Sequence, residues 1–150
     1  MSAPNFNTRL IYLLRTPVIG WFAHKLLRLQ GVQINPRVQF GKGVILGRGA
    51  MGTVIDKETV IGDRVKVYHQ VTLGRAHPDV KDRSGVERVV LEDDVLIAAG
   101  AKVLCAEGQT LTVGRGTWVA ANAVLTRSTG EYEVWGGIPA KRISNRDSIA

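Results

Sequence analysis

From Ile34 onward the large apolar residues recur at every sixth position. Ile34, Phe40 and Leu46 are six apart, as are Ile55, Ile61, Val67 and Leu73; Leu91, Ile97 and Val103 follow, then Val113, Val119 and Leu125. A helix needs apolar spacings of three and four, and a half-buried strand needs alternation. Six fits neither alone. It fits a short strand and a tight turn, repeated, so that three sides close a triangular coil and coils stack in register. The expected fold is therefore mostly β, a parallel β-helix with these positions pointing inward. Four residues after the large side chain there usually stands a small or β-branched one, as at Val38, Val44, Ala50, Val65, Val71, Val95, Ala101, Thr117 and Ala123, expected where the wall is tight. Glycine or small polar residues are expected to turn the corners.

Breaks in the phase mark insertions. Leu46 and Ile55 are nine apart, which places extra residues near Gly49–Gly52; Val103 and Val113 are ten apart, which places them near Glu107–Gln109. The stretch from Arg75 to Arg88 is polar, contains Pro78 and Gly85 and lacks the repeat, so it reads as a loop projecting from a rigid scaffold, a common place for function. Residues 1–30 read as a helical cap, with Leu10, Leu13, Leu14, Ile19, Phe22, Leu26 and Leu27 on one face and a break at Pro17. Residues 31–127 form the β-helix with its loop at 75–88, and residues 128–150 a closing segment and tail. The cap has a second reading, a peripheral membrane contact, because Trp21 and a basic rim border its apolar face.

With 20 Lys and Arg against 13 Asp and Glu, the chain carries +7. That suits an anionic partner. The positive residues are scattered and not interleaved with aromatics, so nucleic acid is not expected. The single cysteine, Cys105, allows no internal disulfide and fits a cytoplasmic protein, with the inner membrane surface as the variant of that location that the cap would permit. Cys105 ends an apolar run with no base beside it, and is expected to be buried structure.

The segments Val71-Thr72-Leu73-Gly74, Ala99 to Leu104 and Gly137-Ile138-Pro139-Ala140-Lys141-Arg142-Ile143 resemble the hexapeptide-repeat acyltransferases. The likeness covers about residues 31–143 and includes both the serine acetyltransferases and the colanic-acid type of polysaccharide acetyltransferase. It implies a left-handed β-helix, a homotrimer, acetyl-CoA as co-substrate in the groove between neighbouring prisms, and a histidine general base. No metal is expected, since a thioester is already activated. By the same resemblance Gly74, Ala99 and Ala121 are candidate positions along the pantetheine arm, and Lys102, Lys141 and Arg142 along the phosphates.

The base must take a proton from an acceptor hydroxyl or amine, and histidine is the side chain suited to that near neutrality. His69, just before the Thr-Leu-Gly step, is the first candidate; His77, in the projecting loop, is the second; His24 lies remote in sequence from the repeat. Serine-specific members carry an Asp-His pair near the place held here by Gly47-Arg48-Gly49-Ala50. That departure makes a sugar or polysaccharide precursor the expected acceptor. Serine or another amino acid is the alternative, and a non-catalytic trimeric scaffold is a further one. A closed trimer should give a light-scattering mass of roughly 49 kDa, three times 16.3 kDa. A monodisperse monomer at micromolar concentration would remove the shared groove.

Overall fold

A computed structural model describes residues 5–77 and 87–146. Most of the projecting loop, residues 78–86, lies outside them. Two helices, α1 (Phe6–Leu13) and α2 (Pro17–Leu29), precede fifteen short strands. The first thirteen wind through three parallel faces. Face A stacks β1 (Gln33–Ile34), β4 (Val54–Ile55), β7 (Thr72–Arg75), β10 (Lys102–Cys105) and β13 (Val124–Leu125). Face B stacks β2 (Gln39–Phe40), β5 (Thr59–Ile61), β8 (Arg88–Leu91) and β11 (Thr110–Val113). Face C stacks β3 (Ile45–Leu46), β6 (Lys66–Val67), β9 (Leu96–Ile97) and β12 (Trp118–Val119), and ends in the antiparallel pair β14 (Glu133–Gly137) and β15 (Ala140–Asn145). This is the left-handed β-helix.

The period of six is the inward ladder itself. Ile34, Ile55, Leu73, Val103 and Leu125 are register partners up face A. Phe40, Ile61, Leu91 and Val113 climb face B. Leu46, Val67, Ile97, Val119 and Trp135 climb face C. All but the half-buried Phe40 are buried, and so are the nine small or β-branched residues of the tight wall. The glycine after Ile61 is needed for a steric reason: a Cβ on Gly62 would lie 2.9 Å from the backbone nitrogen of Asp93 in the coil above. Glycine turns several corners as expected, at Gly43, Gly52, Gly100 and Gly116 with φ between +65° and +74°, but others are turned by residues with side chains. Arg64, Gln70, Asp94, Asn122 and Tyr132 all turn with φ between +53° and +60°. The stacked coils hold these residues in a conformation that a free chain would avoid. At one corner Arg64 meets Asp94 through two bonds of 2.7 and 2.8 Å, and that hydrogen bond holds the Asp94 carboxyl below the usual range.

Open ends of a stacked coil expose unpaired backbone groups, and both ends are closed. Polar side chains of α1 do this at face C. Thr8 Oγ1 accepts from the Leu46 amide at 2.9 Å, Asn5 donates to the Leu46 carbonyl, and Asn7 donates to the Gly49 carbonyl at 2.7 Å. Tyr12 donates to Gly41 and accepts from the Val44 amide. The cap's apolar face differs from the expected one. Leu10, Ile11, Leu14, Ala23 and Leu27 are buried, whereas Leu13, Ile19, Phe22 and Leu26 are exposed. Pro17 opens α2 at its first turn, where a missing N–H costs nothing, and rotates its register relative to α1.

At the other end, Glu133 anchors the β14–β15 pair. It accepts from Trp135 Nε1 at 2.7 Å, the Gly130 amide at 2.8 Å and Arg142 at 3.3 Å. Burial raises its pKa, but these donors outweigh burial and hold the carboxyl below the ordinary glutamate range. Its contribution is thus present above the unfolded-state pKa and is lost as pH falls through the lowered folded-state value. Glu133→Gln should cost about 1–2 kcal/mol in urea melts near pH 7. That gap should shrink in melts at a pH below the ordinary glutamate range, as the parent carboxyl binds its proton. An equal gap at both pH values would mean that shape, not charge, anchors the hairpin.

Candidate functional site

The corner between faces C and A is a straight column of backbone bonds. The Gly52 amide donates to the Gly31 carbonyl, Gln70 to Met51, Gly100 to His69 and Asn122 to Ala99, at 2.8 to 3.0 Å. His69, Ala99 and Ala121 therefore occupy the same place on successive coils, although up to 52 residues separate them (69 to 121). Lys102 stands beside this column. Its Nζ donates to the carbonyls of Gln70 and Gly100 at 2.7 and 2.9 Å, so the ammonium is held against the corner. His69 is half-buried, and its Nδ1 is buried without a hydrogen-bond partner among the described residues. Ala121 is exposed and Ala99 half-exposed, leaving a narrow, small-residue track along the prism edge.

Arg142 and Lys141 lie on β15, opposite Trp135 and Gly136 of β14. Arg142 pairs with Glu133, and Lys141 is exposed. Trp135 fills the top of the face C ladder, while Trp118 is exposed with the Arg146 guanidinium 3.8 Å over its ring. Cys105 is buried as expected, its thiol donating to the Gln109 carbonyl at 2.9 Å.

A cleft of about 580 Å³ lies where α2 crosses face A. Its walls include His24 and Arg28 from α2, Asn35, Asp56 and Thr72 from the sheet, and Gly74 and Arg75 at the end of β7. Arg75 Nε donates to Asp56 at 2.7 Å, and its Nη1 is buried without a partner among the described residues. Gly74 is buried; a Cβ there would reach Asp56 Cβ at 3.4 Å, an ordinary contact, so its absence enlarges the cleft but is not forced. His77 follows two residues after β7 and is exposed.

Of the sequence candidates, the fold gathers His69, Ala99, Lys102 and Ala121 on one edge. It places Gly74 in the cleft, and Lys141 and Arg142 at the closing hairpin. Sequence reasoning set His24 aside as remote from the repeat, and the fold places it in the cleft wall. Helical phase could have found it: it is one residue after buried Ala23 and three before buried Leu27, beside the packed stripe. Arg28 and Asp56 were missed because neither lies in a motif.

Among known proteins, no family model matches the chain. A plasmid serine acetyltransferase of Synechococcus elongatus is 36% identical over 125 residues, which covers 79% of this chain and 37% of the relative. A serine acetyltransferase of Staphylococcus xylosus is 36% identical over 116 residues, 73% of this chain and 46% of the relative. The chain thus spans less than half the length of these two relatives. The crystal structure of Brucella abortus serine acetyltransferase in complex with coenzyme A superposes with a TM-score of 0.71 at 29% identity, covering 94% of this chain and 54% of that one. Repeat, coil and relatives agree: the chain is a left-handed β-helix of the hexapeptide-repeat type and resembles the acyltransferases built on it, serine acetyltransferases among them.

Proposed function

We propose that the chain transfers the acetyl group of acetyl-CoA to the hydroxyl of a small amino-acid acceptor, serine or a close analogue. The observation that carries the acceptor is the charge layout of the cleft. Arg28 and His24 face it from α2 and Arg75 from the sheet, an excess of positive charge that suits the acceptor's carboxylate, while Asp56, bonded to Arg75, is the one carboxylate among the described lining residues for its ammonium. The names of the relatives support the same choice. They favour the amino-acid alternative over the sugar or polysaccharide precursor that the missing Asp-His pair led us to expect. The Brucella relative, held with coenzyme A, supports acetyl-CoA as the co-substrate.

In this reading the pantetheine arm lies along Ala99 and Ala121, where small side chains let it approach the backbone. Lys102 and Lys141 supply positive charge toward its phosphates, with Arg142 contributing what its pairing to Glu133 leaves free. The acceptor oxygen attacks the thioester carbonyl carbon while a histidine removes its proton. The tetrahedral intermediate collapses, the C–S bond breaks, and the proton leaves with the coenzyme A thiol. Backbone N–H groups at the corner are the available oxyanion donors. Each copy offers one side of the groove, which is why a trimer belongs to the proposal.

Thiol release with acetyl-CoA and serine, against a panel of amino acids and nucleotide sugars, tests the acceptor. Release with a sugar and none with any amino acid would overturn it. His69→Ala should lower turnover by about 10² to 10⁴ while leaving coenzyme A binding intact. If His77→Ala or His24→Ala does this and His69→Ala does not, the base has been misassigned. Coenzyme A affinity by calorimetry should weaken as salt rises, because contacts to its phosphates are screened. No binding at low or high salt would favour the scaffold.

A further inference from the structure

The two faces of α2 are the reverse of what a simple cap needs. Its inner stripe is small, with Gly20, Ala23 and the single large residue Leu27 buried. A Cβ on Gly20 would lie 2.5 Å from the Leu14 carbonyl oxygen, so the helix is pressed close against its neighbour. The large side chains point away from the coil. Leu29 is 85% exposed, Val18 70%, Trp21 58%, Phe22 57%, Ile19 55% and Leu26 41%. At 100° per residue Val18, Leu29, Phe22, Leu26 and Ile19 share an arc of roughly 100°. Trp21 and Lys25 follow one another along one flank, and Arg28 beyond them lines the cleft. Trp21 meets Phe22 edge-on with centroids 4.9 Å apart, and Lys25 Nζ sits 5.4 Å from the Trp21 ring centroid.

Charge selects what this face meets. Residues 1–55 contain seven Lys and Arg and no acidic residue, the first being Asp56. The remaining 13 cations and 13 acids cancel (20 − 7 against 13), so the whole net charge of +7 belongs to the stretch that carries the helices. Neither helix has an acidic residue in its first turn, where one would favour the helix dipole. A second copy of the same face would bring cations onto cations. A bilayer with anionic headgroups satisfies both halves at once: apolar side chains enter the acyl boundary, and the basic flank stays among the phosphates. Among the described residues no helix is long and apolar enough to cross a membrane, so the contact is in the plane of the surface. We propose that the outer face of α2, in the basic N-terminal stretch that also carries Arg9 and Arg15, is a docking surface for an anionic lipid bilayer. The proposal is independent of the acceptor chemistry.

The test is co-sedimentation of the full chain with phosphatidylcholine vesicles, with and without phosphatidylglycerol. Binding is expected only to the anionic vesicles, with a blue shift of tryptophan emission that Trp21→Tyr abolishes. Arg15→Glu with Lys25→Glu, and separately Phe22→Ser with Leu29→Ser, should each lower partitioning by at least about tenfold. Light scattering on the same variants checks that their assembly is unchanged. Absence of binding to anionic vesicles would overturn the proposal, as would equal binding to neutral ones. A change of assembly in the Phe22→Ser, Leu29→Ser variant would also overturn it, by giving the face to a second copy.

Discussion

Everything in this molecule depends on one coil stacking on the next through parallel backbone bonds at strand spacing. The ladder of large aliphatics is the apolar half of that constraint, and the bonded corners are the polar half. Because adjacent coils lie so close, there is room for only one kind of side chain at each inward place. Leu, Ile and Val stand at the strands, Ala, Val and Thr along the tight wall, and glycine where two backbones would meet. The strained turns at Arg64, Gln70, Asp94, Asn122 and Tyr132 persist because stacking over-determines them.

The same constraint makes the ends the expensive part. A coil with no neighbour leaves backbone groups bare, and the chain answers differently at each end. The first coil is closed by hydroxyl and amide side chains of α1, which stand in for a missing strand. At the last coil, Ser128 and Thr129 accept from the amides of Thr112 and Gly114, and the antiparallel hairpin anchored by Glu133 covers face C. Closure also has a chemical consequence. By crossing face A, α2 creates the cleft, and it brings His24 and Arg28 over a sheet whose own residues supply Asp56 and Thr72.

A stacked corner is a rigid place for chemistry. Positions far apart in the chain fall into a line without any loop having to be ordered, so His69, Ala99 and Ala121 are aligned by the same bonds that hold the fold. The cleft is different in kind, since its two walls come from different elements, His24 and Arg28 standing on α2 and the paired Asp56 and Arg75 on the coil.

The sequence by itself determined the coil: a period of six admits few other architectures, and the inward ladder, the tight wall and both phase breaks were legible in it. It also carried the column, because equal steps in a repeat become equal heights on an edge. The inserted residues near Gly49 lengthened that step without moving it off the corner. What only the tertiary structure decided were the contacts that cross between repeat and cap. No periodicity relates His24 to Asp56, and the turn at Pro17 sets which face of α2 is buried. The large apolar residues of that helix looked like core because hydrophobicity reports the tendency to leave water. Where they go depends on what surface is offered, and the coil offered only enough room for Gly20, Ala23 and Leu27.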